Sequence, residues 1–363
     1  FKWERFCKEK NITILSSNYP LYGDMSTRVM NILAEFSPEI EVYSIDESFL
    51  KLDGFENYDL SEYATKMRSR VLKWTGIPTC VGIAPTKALC KVANKIARSN
   101  LKQSKGICII DSEENRIKAL KWTKIGNVWG IGRRLKKRLL AKGCTTAWDF
   151  TQLPSDWVLK NLSIVLWRLQ KDLQGISKIP MEGISSKKMI ATTRSFEHAY
   201  EDIEDIKERI STFAARGAEK LRNQKSSCHM LIVQLSSDRF QTALPQHNAS
   251  KTIVFSYPTD STLVIANAAV AAIKMIYKKG IKYKRAGVIV AGLVPNDNFQ
   301  LNLFAHENPK HKPLMAAIDG LNKKFKTDKI KLGNQDLKRT WKMRQNRLSA
   351  KFTTNIKEII TVK

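Results

Sequence analysis

The sequence predicts a multidomain α+β protein. Three observations lead there: strands alternating with helices over residues 1–115, helical patterns with no convincing strand over 116–177, and a β-α-β-β-α-β order, the ferredoxin-like arrangement, over 189–296. A chain of 363 residues has room for two to four domains with separate cores. Residues 178–188, KIPMEGISSKK, read as a linker because Gly, Pro, Ser and Lys replace apolar periodicity. Residues 297–363 read as a loop and then a basic tail.

Element by element, Asp24 is a helix-start signal, and STRVMNILAEFS after it puts Val29, Ile32, Leu33 and Phe36 on one face before Pro38. EVYSIDESFLKL is strand material, yet Asp46 and Glu47 sit side by side in its middle. In one continuous strand they would point to opposite faces, so the segment is read as two antiparallel strands meeting near DE. SEYATKMRSRVLKW is helical, PTCVGIAP is an apolar strand, and TKALCKVANKIARSN is a helix with basic residues on its outer face. From 116 to 177 helical patterns surround the turn VWGIG. In the third unit ATTRSF is a short strand, and the helix after it aligns Ile203, Ile206, Ile210, Phe213, Ala214, Gly217 and Leu221. CHMLIVQLSS, KTIVFSY and AGVIVAGLV are strands, with the helix DSTLVIANAAVAAIKMIYKK before the last.

Lys and Arg number 62 against 34 acids, a net charge of +28 spread along the chain. Nucleic acid is the leading partner class, ahead of a merely solubilising surface, for which about 8 net charges suffice, and of an anionic membrane. No apolar run of about 18 residues exists to span a bilayer, and FKWERFCKEK is not a signal peptide. The six cysteines form no CxxC or zinc spacing and read as buried free thiols of a cytoplasmic protein.

Three stretches carry chemistry. Two clustered carboxylates repel each other unless a cation lies between them, and Mg²⁺ held by carboxylates and substrate phosphates fits Asp46 and Glu47. Two such ions serve phosphoryl transfer. The bland alternative is an exposed hairpin tip. In VWGIGRRLKKRLLAKG, Gly130 and Gly132 permit a tight turn opening onto a helix N-terminus, with Arg133, Arg134, Lys136, Lys137 and Arg138 around it and Leu135, Leu139 and Leu140 facing the core. This resembles a helix-hairpin-helix that grips a duplex backbone without reading bases. In NDNFQLNLFAHENP, the apolar hexamer between polar loops is read as a docking peptide, with a half-buried strand as the alternative.

Together these features resemble the Y-family translesion DNA polymerases, most closely the UmuC subgroup, over the whole chain. SSNYPLYGDMS, YSIDESF, GIAPTKALCKVANKIA, VWGIGRR, TRSF, QLNLF and RLSAKFTT follow in the family's order. The resemblance implies a right-hand polymerase: a partial palm over 1–115 with the end of the fingers, a thumb over 116–177, and a little finger over 189–296. It implies that Asp46 is shared between two Mg²⁺ ions and that Glu47 helps hold the ion activating the primer 3′-hydroxyl. Arg98, at a position usually occupied by Lys, and Lys87 would serve the incoming deoxynucleoside triphosphate. Arg contacts phosphate as a fork rather than a point charge. Gly130, Gly132, Arg133, Arg134, Lys136 and Lys137 would hold primer-template DNA. Gln300, Leu301, Leu303 and Phe304 match the peptide that docks on the sliding clamp. Implied partners are damaged DNA, a UmuD-like subunit and RecA in the SOS response.

One departure stands out. Family members begin with a strand bearing the first metal-binding Asp, and this chain opens about 50 residues later, so residues 1–363 alone are expected to lack polymerase activity if two-metal positioning is required. The alternative is a catalytically dead protein that binds DNA and docks on the clamp. A helix-hairpin-helix nuclease or glycosylase ranks below both.

Overall fold

The computed structural model describes residues 3–183, 186–296, 308–325, 329–335 and 345–360. The chain divides into two compact units, Phe1–Ile184 with Gln345–Lys363, and Ser185–Arg344.

The first unit runs α1 (Glu4–Glu9), α2 (Tyr19–Ala34), β1 (Ile40–Val42), β2 (Ser48–Leu50), α3 (Leu60–Thr75), β3 (Val81–Ile83), α4 (Lys87–Ser99), α5 (Leu101–Ser104), β4 (Ile107–Ile109), α6 (Glu113–Trp122), a 3-10 turn Ile125–Asn127, α7 (Arg133–Ala141), α8 (Ala147–Thr151), α9 (Ser155–Asn161) and α10 (Ile164–Leu173). The expected start at Asp24 is corrected. α2 begins at Tyr19 because Asn18 Oδ1 accepts the Leu21 amide and Pro20 suits a first turn, while Asp24 pairs with Arg28 one turn on. Val29, Ile32 and Phe36 are buried as their spacing requires. The strands form two separate pairs: β1–β2 antiparallel and β3–β4 parallel.

Helix α4 starts on Thr86, whose side chain accepts the Leu89 amide, and turns Ala88, Leu89, Val92 and Ala93 inward. These join Leu120, Ile125, Leu139, Phe150 and Leu173 in one cluster, so the helical module shares its core with α4. Leu140, expected in that core, is exposed, and Lys87, expected on the outer face of α4, is buried.

The stretch read as a linker is fastened at its start. Asp172 Oδ1 accepts the amides of Lys178 and Ile179 at 2.7 and 3.1 Å. Lys87 Nζ donates to Pro180 O at 3.1 Å, and Glu41 Oε2 accepts the Glu182 amide at 2.7 Å. Asp172 and Glu41 are buried carboxylates, and such groups are kept only with donors of this kind.

The second unit runs β5 (Met189–Tyr200), α11 (Ile203–Asn223), β6 (Ser226–Ser237), β7 (Asn248–Thr259), α12 (Thr262–Ile276), β8 (Tyr283–Pro295) and α13 (His311–Lys324). The order of elements is the expected β-α-β-β-α-β. The antiparallel sheet is ordered β5-β8-β6-β7, so the second and fourth strands are central; the ferredoxin arrangement has the first and third there. Both helices cover one face, and Ile206, Ile210, Phe213, Ile265 and Ile273 meet Leu231, Val233, Val288 and Val290 in its core. The strand expected at ATTRSF is twelve residues long. All six cysteines are free, but only Cys144 and Cys228 are buried. No described helix is long and apolar enough to cross a membrane.

Candidate functional site

The hairpin places the two adjacent carboxylates. β1 and β2 pair from Ile40↔Leu50 to Val42↔Ser48, and the loop closes where the amides of Tyr43 and Ser44 both donate to Glu47 O at 3.0 Å. Asp46 and Glu47 therefore leave the strand direction together, in a solvent-exposed loop. The Ser44 hydroxyl donates to Asp46 Oδ1 at 2.6 Å, a neutral contact, and Asp46 forms no salt bridge among the described residues. Glu47 Oε1 takes the Lys91 ammonium at 2.7 Å.

Lys91, on α4, was missed by sequence reasoning. Its ammonium lies 4.4 Å from the centroid of the Tyr43 ring, with the Phe49 and Trp129 rings at 5.4 and 5.8 Å. Trp129 Nε1 donates to the Tyr43 hydroxyl at 2.9 Å. The residue just before Gly130 thus touches the hairpin carrying the carboxylates, and the only signal in the sequence is that Lys91 follows Lys87 by one helical turn.

Lys87 does not face solvent. Its ammonium bonds both Glu41 oxygens at 2.8 and 2.7 Å and lies 4.8 Å from the Phe49 centroid. Arg98 is exposed in the last turn of α4 and forms no salt bridge among the described residues. Partial burial, and then the nearby Arg98 charge, hold the Lys95 ammonium below its usual range.

The other acids that precede the pair already have cationic partners. Glu4 is within 3.6 Å of Arg347, Glu9 within 2.8 Å of Arg5, and Asp24 within 2.9 Å of Arg28. Glu35 pairs with Arg70 at 2.8 Å, Glu39 with Lys51 at 3.1 Å and Glu41 with Lys87 at 2.7 Å. Among the described residues no group of three or more His, Cys, Asp or Glu side chains is placed to hold a metal ion. Asp46 and Glu47 still offer hard oxygen ligands, and Mg²⁺ is commonly held by one or two carboxylates plus substrate phosphates, so the pair fits a share in such a site.

The glycine hairpin is built as a tight turn. The Ile131 amide donates to Val128 O at 3.1 Å, and Gly130, third in that turn, has φ +82°, where a Cβ is strained. Gly132 caps α7 through its backbone, with no side-chain cap, at φ −80°. Arg133, Arg134, Lys136 and Lys137 are all exposed around that helix start, so exposed cations and first-turn amides face the same region. Arg138 differs, donating to Asn161 O at 2.8 Å. Gln300, Leu301, Leu303 and Phe304 lie outside the described residues.

Residues 1–95 match the impB/mucB/samB family model, 187–303 the impB/mucB/samB family C-terminal domain, and 312–362 a domain of unknown function, DUF4113. The chain is 33% identical to Protein UmuC of Salmonella typhimurium (strain LT2) over 368 residues, covering 100% of this chain and 87% of that protein. It is 34% identical to Protein ImpB of Salmonella typhimurium, covering 97% and 84% of the two chains. DNA polymerase IV 2 of Bacillus subtilis (strain 168) is 26% identical over 89% of this chain and 78% of its own length. Among solved structures, the Y-family DNA polymerase chimera Dbh-Dpo4(243-245)-Dbh shares the fold, with a TM-score of 0.61 and 21% identity over 77% of this chain and 78% of its own.

Proposed function

The chain belongs to the impB/mucB/samB family, and from that membership we propose that it is the polymerase body of an error-prone translesion DNA polymerase, copying damaged template in the cytoplasm. The observation that carries this reading at the level of residues is the hairpin that projects Asp46 and Glu47 together beside Lys91. Y-family DNA polymerases use divalent metal ions. When bound here, Mg²⁺ would supply charge neutralisation for phosphoryl transfer, with Asp46 and Glu47 among its ligands. Lys91 holds Glu47 in place in the ion-free chain and limits repulsion between the two acids. Arg98 adds an exposed fork for the triphosphate, and the α7 start with its cations grips the phosphates of primer-template DNA.

Among the described residues no third carboxylate stands with Asp46 and Glu47 to complete a two-ion site. Residues 1–363 by themselves are therefore expected to bind primer-template DNA without extending it. The QLNLF peptide is assigned to a sliding clamp, and a UmuD-like subunit and RecA to the assembled enzyme; these assignments rest on the resemblance. The test is primer extension past an abasic site with Mg²⁺, using the full reading frame and its Asp46→Ala variant. Extension should disappear in Asp46→Ala, and extension retained at the parent rate would remove Asp46 from the metal site.

A further inference from the structure

The domain of unknown function at residues 312–362 is divided between the two units. Its helical part sits on the second. α13 buries Met315, and Asp319 takes two bonds from Arg222 of α11 at 2.6 and 2.8 Å. His311 Nδ1 lies 3.1 Å from Ser261 Oγ. In the last turn of α13, Asn322 exchanges two bonds of 2.9 Å with the Ile330 backbone beyond the helix, and Leu332 packs on that unit's core.

Its last part sits on the first unit. Asn18 is 1% exposed and acts twice: Oδ1 caps α2, and Nδ2 donates to Ser349 Oγ at 3.0 Å, Ser349 O at 3.3 Å and Ala350 O at 3.4 Å. The Ser16 amide donates to Arg347 O at 2.8 Å, the Arg347 amide donates to Ser16 Oγ at 3.2 Å, and Gln345 Nε2 donates to Ser17 O at 3.1 Å. The segment also closes on itself, with Glu358 accepting from the Lys351 amide and Asn355 Nδ2.

Composition reads this segment as a basic tail suited to phosphate contacts, yet polar groups at both of its ends are bonded to the fold. We propose that the domain is a two-ended strap, fastened through Asp319 to Arg222 and through Ser349 to Asn18, giving the two units a second covalent connection besides the 178–188 linker. Connected modules that bind one ligand rebind at an effective concentration set by the connection, so the strap helps one unit regain DNA while the other holds it. The choice of DNA as the shared ligand rests on the polymerase reading; the fastening does not.

Amide hydrogen exchange on the intact chain tests the fastening. Amides of α13, and those of Arg347, Lys351, Thr354 and Asn355, should exchange at least about tenfold more slowly than in free peptides of the same sequence. Met315→Ala with Asp319→Ala should release α13 alone. Asn18→Asp keeps the α2 cap, removes the donor and should release 345–360 alone. Peptide-like exchange in the parent, or release of both pieces by either change, would overturn the strap. A protease site placed within 336–344 tests the connection: cutting it after folding should weaken binding to primer-template DNA several-fold while both ends stay protected. Unchanged affinity after cutting overturns the tether. Absence of DNA binding before cutting instead overturns the polymerase reading and leaves the exchange result standing.

Discussion

Replacing Lys87 by Met separates two roles for this lysine. As a contact to the triphosphate, its loss would raise the nucleotide KM and leave folding unchanged. As the partner of Glu41, its loss strands a carboxylate only 7% exposed, with the Glu182 amide as its remaining donor among the described residues. Breaking a buried ion pair by removing one partner costs about 3–5 kcal/mol. The cation's attraction to the Phe49 ring, 4.8 Å away, adds about 0.5–2 kcal/mol, and the lost bond to Pro180 O about 1 kcal/mol. The contributions share one ammonium and do not sum, so we expect a loss of about 4 kcal/mol. For a unit of this size that is a drop of about 10 °C in Tm. Tryptophan fluorescence follows mainly the first unit, because seven of the eight tryptophans (Trp3, Trp74, Trp122, Trp129, Trp148, Trp157 and Trp167) belong to it and only Trp341 belongs to the second. Glu41→Gln in the Lys87→Met background should recover most of the loss by removing the stranded charge. Parent-like melting of Lys87→Met with a raised nucleotide KM would refute this and return Lys87 to the nucleotide.

Gly130→Ala should lower the stability of the first unit by about 1–2 kcal/mol because of its positive φ, whereas Gly132→Ala, in open space at φ −80°, should leave melting unchanged. Neutralising Arg133, Arg134, Lys136 and Lys137 to Gln should flatten the salt dependence of DNA affinity by about 4 in log–log slope, read by fluorescence anisotropy, if all four meet phosphate. Leu303→Ala with Phe304→Ala should abolish pull-down by the sliding clamp and spare DNA binding. At Asp149, burial raises the carboxyl pKa, but the amides of Thr145 and Thr146 and the Thr145 hydroxyl outweigh it and hold it below the usual range. Its stabilisation is therefore present above the unfolded pKa and lost as pH falls through the folded one. Asp149→Ala should cost about 1 kcal/mol at pH 7, and the gap to the parent should close below about pH 4.

What was legible in the sequence is what repeats locally. Alternation broken by Asp46 and Glu47 gave the hairpin, and apolar spacing from Ile206 to Leu221 gave α11 and its buried face. Periodicity states which face is apolar and leaves open which partner covers it, so the strand order β5-β8-β6-β7 and the shared core of α4 with the helical module were not readable. Charge misled in a related way. In a chain of +28 each Lys or Arg looks like solvated surface or a phosphate contact, yet Lys87, Lys91 and Arg222 hold Glu41, Glu47 and Asp319. Each of those acids is 44 or more residues from its cation, so no local pattern links them. A buried or half-buried carboxylate must find a donor somewhere, and this chain supplies cations at every turn. The scarce acids are therefore the better guide to its polar architecture: tracing where each finds a donor locates the fastened linker, the fastened tail and an Asp46 with no cationic partner among the described residues.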